Sequence, residues 1–232
     1  MFFSAFEYNS IMANNSTTNI LKSVEELYLK KQYEEAIDTL LKHKDTFNSG
    51  LFHYNLGSLY LKMGNVGAAR YNLEKSKDNG FNLTLVNKNL SVIKQSTNIV
   101  GLERSDSIYE QAIGYSIDKS SYLIGSFFLL CTIIVLLLVL FKKIKSNFIT
   151  LCLLAVLSIP VGVKIFVSAR FDRAVALRDL ALYEGPSKIY EESGEVGAGS
   201  KVVIGKSING WLLIKYPESV AGWVRREDVG LF

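Results

Sequence analysis

Apolar positions recur every three or four residues from Thr17 onward: Ile20, Val24, Leu27 and Tyr28, then, past Lys30-Lys31-Gln32, Tyr33, Ala36, Ile37, Leu40 and Leu41. That spacing lines one face of a helix, so the stretch predicts a helix, a short turn and a second helix. The theme returns over Leu51 to Met63 and Val66 to Asn79, split by Gly64-Asn65 and closed by Gly80, a residue suited to the left-handed position after a helix. Leu83 to Gln95 reads as one more amphipathic helix capping the stack. Ala36 recurs as Ala69 and Leu40 as Leu73, a common step of 33 positions, and paired helices at such a period mark stacked helical hairpins. The helical unit is thus assigned to residues 17–97, after a disordered N-terminal stretch, 1–16.

Residues 98–121 are polar and glycine-punctuated, a linker with a short helix at Ser107 to Ile113. The pattern then stops alternating. Tyr122 to Phe141 holds no charged residue in 20 positions, and Phe148 to Val167 is again apolar, interrupted by Pro160 and carrying Lys164 near its end. At about 1.5 Å per helical residue, 20 residues reach about 30 Å, the thickness of a bilayer's hydrocarbon core. The expectation is two transmembrane helices, 122–141 and 148–167, joined by a basic turn, 142–147, with both outer parts on the same side of the membrane. Three lysines in that turn read as cytoplasmic, which makes the outer parts extracytoplasmic, although Lys164, Arg170, Arg173 and Arg178 pull the other way. Lys164 reads as a side chain snorkelling to the headgroups.

A connector, 168–176, leads into a different pattern, 177–232: short alternating runs broken by Glu184-Gly185-Pro186-Ser187, Ala198-Gly199-Ser200, Asn209-Gly210 and Pro217-Glu218-Ser219. Lys201 to Lys206, Gly210 to Tyr216 and Ala221 to Val224 read as strands, and four or five strands in so short a segment predict a small barrel. Asn209-Gly210 is the strongest kind of hairpin signal.

Composition adds mainly exclusions. The net charge is +4 with scattered basic residues, so nucleic-acid binding gains little support. Both cysteines, Cys131 and Cys152, sit in apolar runs and read as packing residues rather than a disulfide or metal pair. His43 and His53 lack neighbours at metal-ligand spacing, and no paired carboxylates, activated nucleophile or phosphate loop is visible. The expectation is a non-enzymatic protein without metal or cofactor. The opening MFFSAFEYNSIMANN has no basic start, and Glu7 to Ser10 interrupt its apolar stretch, so it does not read as a signal peptide.

The second hairpin, HYNLGSLYLKMGNVGAARYNLEKS, resembles a tetratricopeptide repeat at Leu56-Gly57, Tyr60, Ala69 and Leu73. Gly57 and Ala69 let the two helices approach, while Leu56, Tyr60 and Leu73 fill the seam. The resemblance implies a concave peptide groove at Tyr54, Asn55, Ser58, Leu61 and Lys62; the competing reading is a plain solvated helix face. Residues 177–232 resemble the bacterial SH3 family, through Asn209-Gly210-Trp211 and Gly222-Trp223-Val224, with Arg225 to Val229 as a closing turn. Tyr183, Tyr190, Trp211, Tyr216 and Trp223 are candidates for an aromatic groove that takes peptides or cell-wall stems. Against this stands the weightier reading that Trp211 and Trp223 fill a core too small to fold without them.

Together these parts give the expected fold class: a multidomain membrane protein of α-helical tetratricopeptide-like repeats, two transmembrane helices and a small all-β SH3-like barrel. That order of modules is similar to the BatE-like aerotolerance-operon family of Gram-negative bacteria. The resemblance implies a scaffold in the bacterial inner membrane with both outer domains in the periplasm. Its partners would be membrane proteins bearing von Willebrand factor A domains, in a complex serving oxidative-stress tolerance or envelope integrity. The rival reading is a sensor that binds peptidoglycan and recruits an envelope enzyme.

Overall fold

A computed structural model describes residues 15–95, 99–101, 107–118, 121–140 and 147–232. The expected disorder of 1–16 falls almost wholly outside these residues, as do the basic turn, apart from Asn147, and the middle of the 98–121 linker. Five helices open the described chain: α1 (Asn15–Leu29), α2 (Tyr33–Lys42), α3 (Ser49–Lys62), α4 (Val66–Asp78) and α5 (Leu83–Lys94). Asparagines start the last three. The side chain of Asn48 accepts from the Gly50 amide, that of Asn65 from Ala68, and that of Asn82 from Thr84 and Leu85. Gly80 adopts φ +73° after α4, where the Gly80 amide donates to Lys77 O and that of Phe81 to Ser76 O, closing the helix in a Schellman motif.

Gly57 explains the tight α3–α4 crossing: a Cβ there would come within 2.8 Å of Leu73 Cγ. One apolar cluster, containing Leu21, Val24, Ala36, Leu40, Phe52, Leu56 and Leu59, joins α1, α2 and α3. A second, containing Tyr54, Ala69, Leu73, Val86, Leu90 and Ile93, joins α3, α4 and α5.

Three helices follow: α6 (Ile108–Asp118), α7 (Ser121–Leu140) and α8 (Asn147–Arg170). The expectation of two transmembrane helices is corrected here. Among the described residues only α8 is long and apolar enough to cross a membrane, over Ile149–Val167. In α7 the apolar stretch among the described residues is Gly125–Leu140. It packs alongside α8. Pro160 lies within α8 without ending it.

The expected four- or five-stranded barrel is also corrected, to a seven-stranded antiparallel sheet in the order β3-β2-β6-β5-β4-β1-β7. Its strands are β1 (Asp172–Ala176), β2 (Leu180–Tyr183), β3 (Glu192–Val196), β4 (Lys201–Ile208), β5 (Trp211–Tyr216), β6 (Gly222–Arg225) and β7 (Val229–Leu231). Strand β1 comes from what reads in the sequence as a charged connector. One residue, Phe171, separates it from α8, and its register against β4 and β7 makes it a central strand. Strands β3 and β7 are short edges, and ESGEV in β3 carries no alternation to betray it. The β4–β5 hairpin turns at Asn209 and Gly210, both left-handed at φ +47° and +81°. The sheet's core holds Ala174, Leu180, Val196, Val202, Leu212, Ile214 and Val224 and contains no tryptophan.

Helix α4 docks on the sheet. Arg70 Nη1 donates to Gly199 O at 2.8 Å, Lys201 Nζ lies 3.3 Å from Glu74 Oε2, and all three of these side chains are almost wholly buried. Tyr71 packs on Phe232 at a centroid distance of 5.6 Å, and Arg173 pairs with Asp78 at 3.0 Å. The base of the sheet is braced against α8 as well, because Val167, Phe171, Val203 and Tyr216 form one buried cluster with Ile113 of α6. Glu110 of α6 adds a hydrogen bond, its Oε1 accepting from the Glu218 amide at 2.7 Å.

Candidate functional site

The concave face expected on α3 is not open. Tyr54, Asn55 and Ser58 are buried at 3%, 2% and 6% exposure, and α5 covers Tyr54 and Ser58. Tyr54 stacks on Phe81 at 4.9 Å, and burial pushes its hydroxyl pKa up. Ser58 Oγ donates to Tyr54 O at 2.8 Å and accepts from Asn89 Nδ2 at 2.9 Å. Leu61 is half-buried within the α3–α5 cluster. Lys62 alone is exposed, with its Nζ 6.0 Å from the ring centroid of Tyr28. The capping helix therefore fills the space where a groove was expected.

The five aromatic candidates of the sheet separate into three places. Alternation along β5 and β6 buries Leu212, Ile214 and Val224 and turns Trp211, Leu213 and Trp223 to the opposite, partly exposed face. Tyr183 stands beside Trp223 in the β2–β6 register, and Trp223 beside Leu213 in the β5–β6 register. Tyr183 also meets Trp211 edge-on, at 5.4 Å and 85°. Its hydroxyl donates to Glu192 Oε1 at 3.0 Å, and this bond to a carboxylate raises its pKa. Tyr183, Trp211, Trp223 and Leu213 thus make one aromatic face on the sheet's outside. The reading of the two tryptophans as core-fillers is corrected, since the aliphatic residues of β1 to β7 fill the core unaided.

The other two candidates lie elsewhere. Tyr190 packs its ring on Gly185, where a Cβ would come within 2.6 Å of the ring, and remains half exposed in its own loop. Tyr216 is buried at the base of the sheet, against Tyr109 at 6.0 Å and Phe171 at 5.9 Å. Burial and the neighbouring Tyr109 raise its pKa.

Sequence reasoning passed over the partners that complete the outer face. Arg225 pairs with Trp211 across β5 and β6, its guanidinium carbon 5.9 Å from the ring centroid. The period-two alternation of WLLIKY and GWVR was the available signal, since it puts Leu213 with Trp211 and Arg225 with Trp223. Among the described residues, no group of three or more His, Cys, Asp or Glu side chains stands placed to hold a metal ion. Cys131 and Cys152 are both free thiols.

By architecture this is a chain of stacked helical hairpins bonded to an antiparallel sheet, with one helix, among the described residues, long and apolar enough to cross a bilayer. Compared with protein-family models, with curated proteins and with solved structures, it matches none.

Proposed function

We propose that the chain is a non-enzymatic membrane scaffold that holds the aromatic face of its sheet at a fixed height above the bilayer for a partner protein to dock on. The observation carrying this reading is the join between α8 and the sheet. A single residue, Phe171, separates the apolar helix from β1, and the cluster of Ile113, Val167, Phe171, Val203 and Tyr216 locks the two together. A flexible tether would let a module search space; a braced one presents a surface in one orientation. Contact between α4 and the sheet braces that surface further.

The resemblance to the BatE-like family supplies the setting of this proposal: the bacterial inner membrane, the sheet in the periplasm, and von Willebrand factor A-domain membrane proteins as partners. The rival, wall binding through the same aromatic face, predicts a different capture. A photo-crosslinking residue in place of Leu213, on the face, is compared in cells with one in place of Val92, exposed on α5. A membrane protein captured at position 213 and not at 92 supports the scaffold. Wall fragments captured there favour the rival, and equal capture at both positions removes the docking face. A reporter fused after Phe232 that is active only in the cytoplasm would overturn the periplasmic setting.

A further inference from the structure

The aromatic face ends in a basic pocket. At the Trp211 end, a cavity of about 430 Å³ is lined by Gly210, Trp211, Arg225, Arg226 and Glu227. The left-handed turn at Asn209-Gly210 shapes its rim, and the Arg226 amide donates to Gly210 O at 2.9 Å, tying that turn to the segment after β6. Arg225 lies over the Trp211 ring, and its Nη1 donates to Glu227 Oε1 at 2.9 Å. Arg178 approaches the same carboxylate at 4.0 Å and pairs with Asp228. Arg226 Nη1 donates to the Val229 carbonyl rather than to a carboxylate. The pocket's lining therefore carries two guanidiniums, of Arg225 and Arg226, and one carboxylate, of Glu227, which leaves it with an excess of positive charge.

Two details say what the pocket accepts. The first is Glu227 itself: its side chain is 65% exposed, yet its carboxylate sits between two guanidiniums. Exposed ion pairs are weak, so a better-placed carboxylate can take this position easily. Arg225, its guanidinium carbon 5.9 Å from the Trp211 ring centroid, is placed between the ring and the Glu227 carboxylate before any ligand arrives, and its planar fork suits a carboxylate. The second detail is how the acids around the face are engaged. Glu192 already accepts from the Tyr183 hydroxyl, whereas Glu227 in the pocket sits beside guanidiniums, so the pocket is where an added carboxylate is matched in charge.

We propose that this pocket binds the carboxylate of an acidic residue in an extended segment of a partner protein, with Glu227 holding the carboxylate position until the partner arrives. Trp211, Trp223 and Leu213 then carry the residues flanking that acid. The proposal rests on the aromatic face being a docking surface, and it adds the chemistry of what docks.

The chain's two tryptophans both stand on this face, so tryptophan emission, excited selectively over tyrosine, reports there. The full chain in detergent micelles is titrated with the capped peptide Ala-Pro-Glu-Asp-Pro-Ala and with its amide counterpart, Ala-Pro-Gln-Asn-Pro-Ala. A saturable emission change is expected with the acidic peptide alone. Arg225→Glu should weaken it by about tenfold or more, through lost pairing and reversed charge. Glu227→Gln should tighten it, because the internal competitor is gone, whereas Asp172→Asn, which removes an exposed acid from β1, should leave it unchanged. Tightening is a gain that misfolding does not produce. Equal binding of both peptides, or a Glu227→Gln chain that binds no better, overturns the proposal. If neither peptide binds while position 213 still captures a protein, carboxylate recognition falls and the docking face stands; if both fail, both fall.

Discussion

Lys201 and Glu74 lie 127 positions apart in the chain, yet Lys201 Nζ stands 3.3 Å from Glu74 Oε2, with only 4% and 3% of the two side chains exposed. Arg70 Nε is 3.8 Å from the other carboxylate oxygen, so Glu74 is shared by two cations where α4 meets the sheet. Removing one partner leaves charge buried without compensation, which commonly costs about 3–5 kcal/mol. Lys201→Met and Glu74→Gln should each lower stability by amounts of that order. In a double-mutant cycle their effects should fall short of additive by about 1–3 kcal/mol, read by denaturant unfolding of the full chain in detergent with tryptophan emission as the probe. Additive effects would show that the two groups do not interact.

The same interface makes Gly67 a sharp test, because two effects of opposite sign compete there. Alanine in place of glycine favours an isolated helix by about 1 kcal/mol. At Gly67, however, the added Cβ would fall 2.1 Å from the carbonyl oxygen of Leu177, on the backbone just beyond β1. The clash is with main chain and should win, so Gly67→Ala is expected to destabilise the docked form and to speed amide exchange in β1. A more stable chain would mean that α4 and the sheet are not in contact.

On the sheet, position relative to the core decides what a truncation does. Leu212 and Ile214 are 2% and 0% exposed, and cutting either to alanine should cost about 2–5 kcal/mol. Trp211 and Trp223 are larger but lie on the outer face. Trp223→Ala should cost clearly less stability than Ile214→Ala and yet abolish capture at position 213. Thermal unfolding followed by circular dichroism reads the first effect, and crosslinking the second. A Trp223→Ala chain as unstable as Ile214→Ala would make the tryptophan a core residue after all.

His53, on α3, gives the helical unit a pH dependence. Burial lowers its pKa below 6.5, and its hydrogen bond with Asn72 Oδ1, at 2.9 Å, only partly offsets that. The folded state therefore takes up a proton less readily than the unfolded chain. Stability should be full above pH 6.5, fall as pH drops through 6.5, and level off below the depressed folded pKa. His53→Gln should flatten that slope in thermal unfolding measured between pH 7.5 and 5. An unchanged slope in the variant would assign the dependence to other groups.

Local patterns carried the element types. Apolar spacing of three and four drew α1 to α5, Gly64-Asn65 and Gly80 marked a turn and an end among them, and Asn209-Gly210 announced the β4–β5 hairpin, because each depends on residues within a turn or two of one another. The same locality explains the misses. Strand β1 looked like a connector since its five residues are stabilised by β4 and β7, one of them more than 50 positions away. The helical groove was drawn from a single hairpin, and only the packing of α5 shows Tyr54 and Ser58 to be covered. The tryptophans were legible as important, but their direction depends on which face of β5 meets the core.

What the sequence determined by itself was the five opening helices, the β4–β5 hairpin, and an apolar stretch at Ile149–Val167 long enough for a bilayer. Tertiary structure alone decided that α4 and the sheet share a buried carboxylate and that Tyr183, Trp211 and Trp223 form one face while Tyr190 and Tyr216 do not. The physical reason is that helices and hairpins are stabilised by neighbours in the chain. Burial and charge pairing instead join residues a hundred or more positions apart, such as Arg70 with Gly199 and Glu110 with Glu218, which no pattern of period two or 3.6 connects.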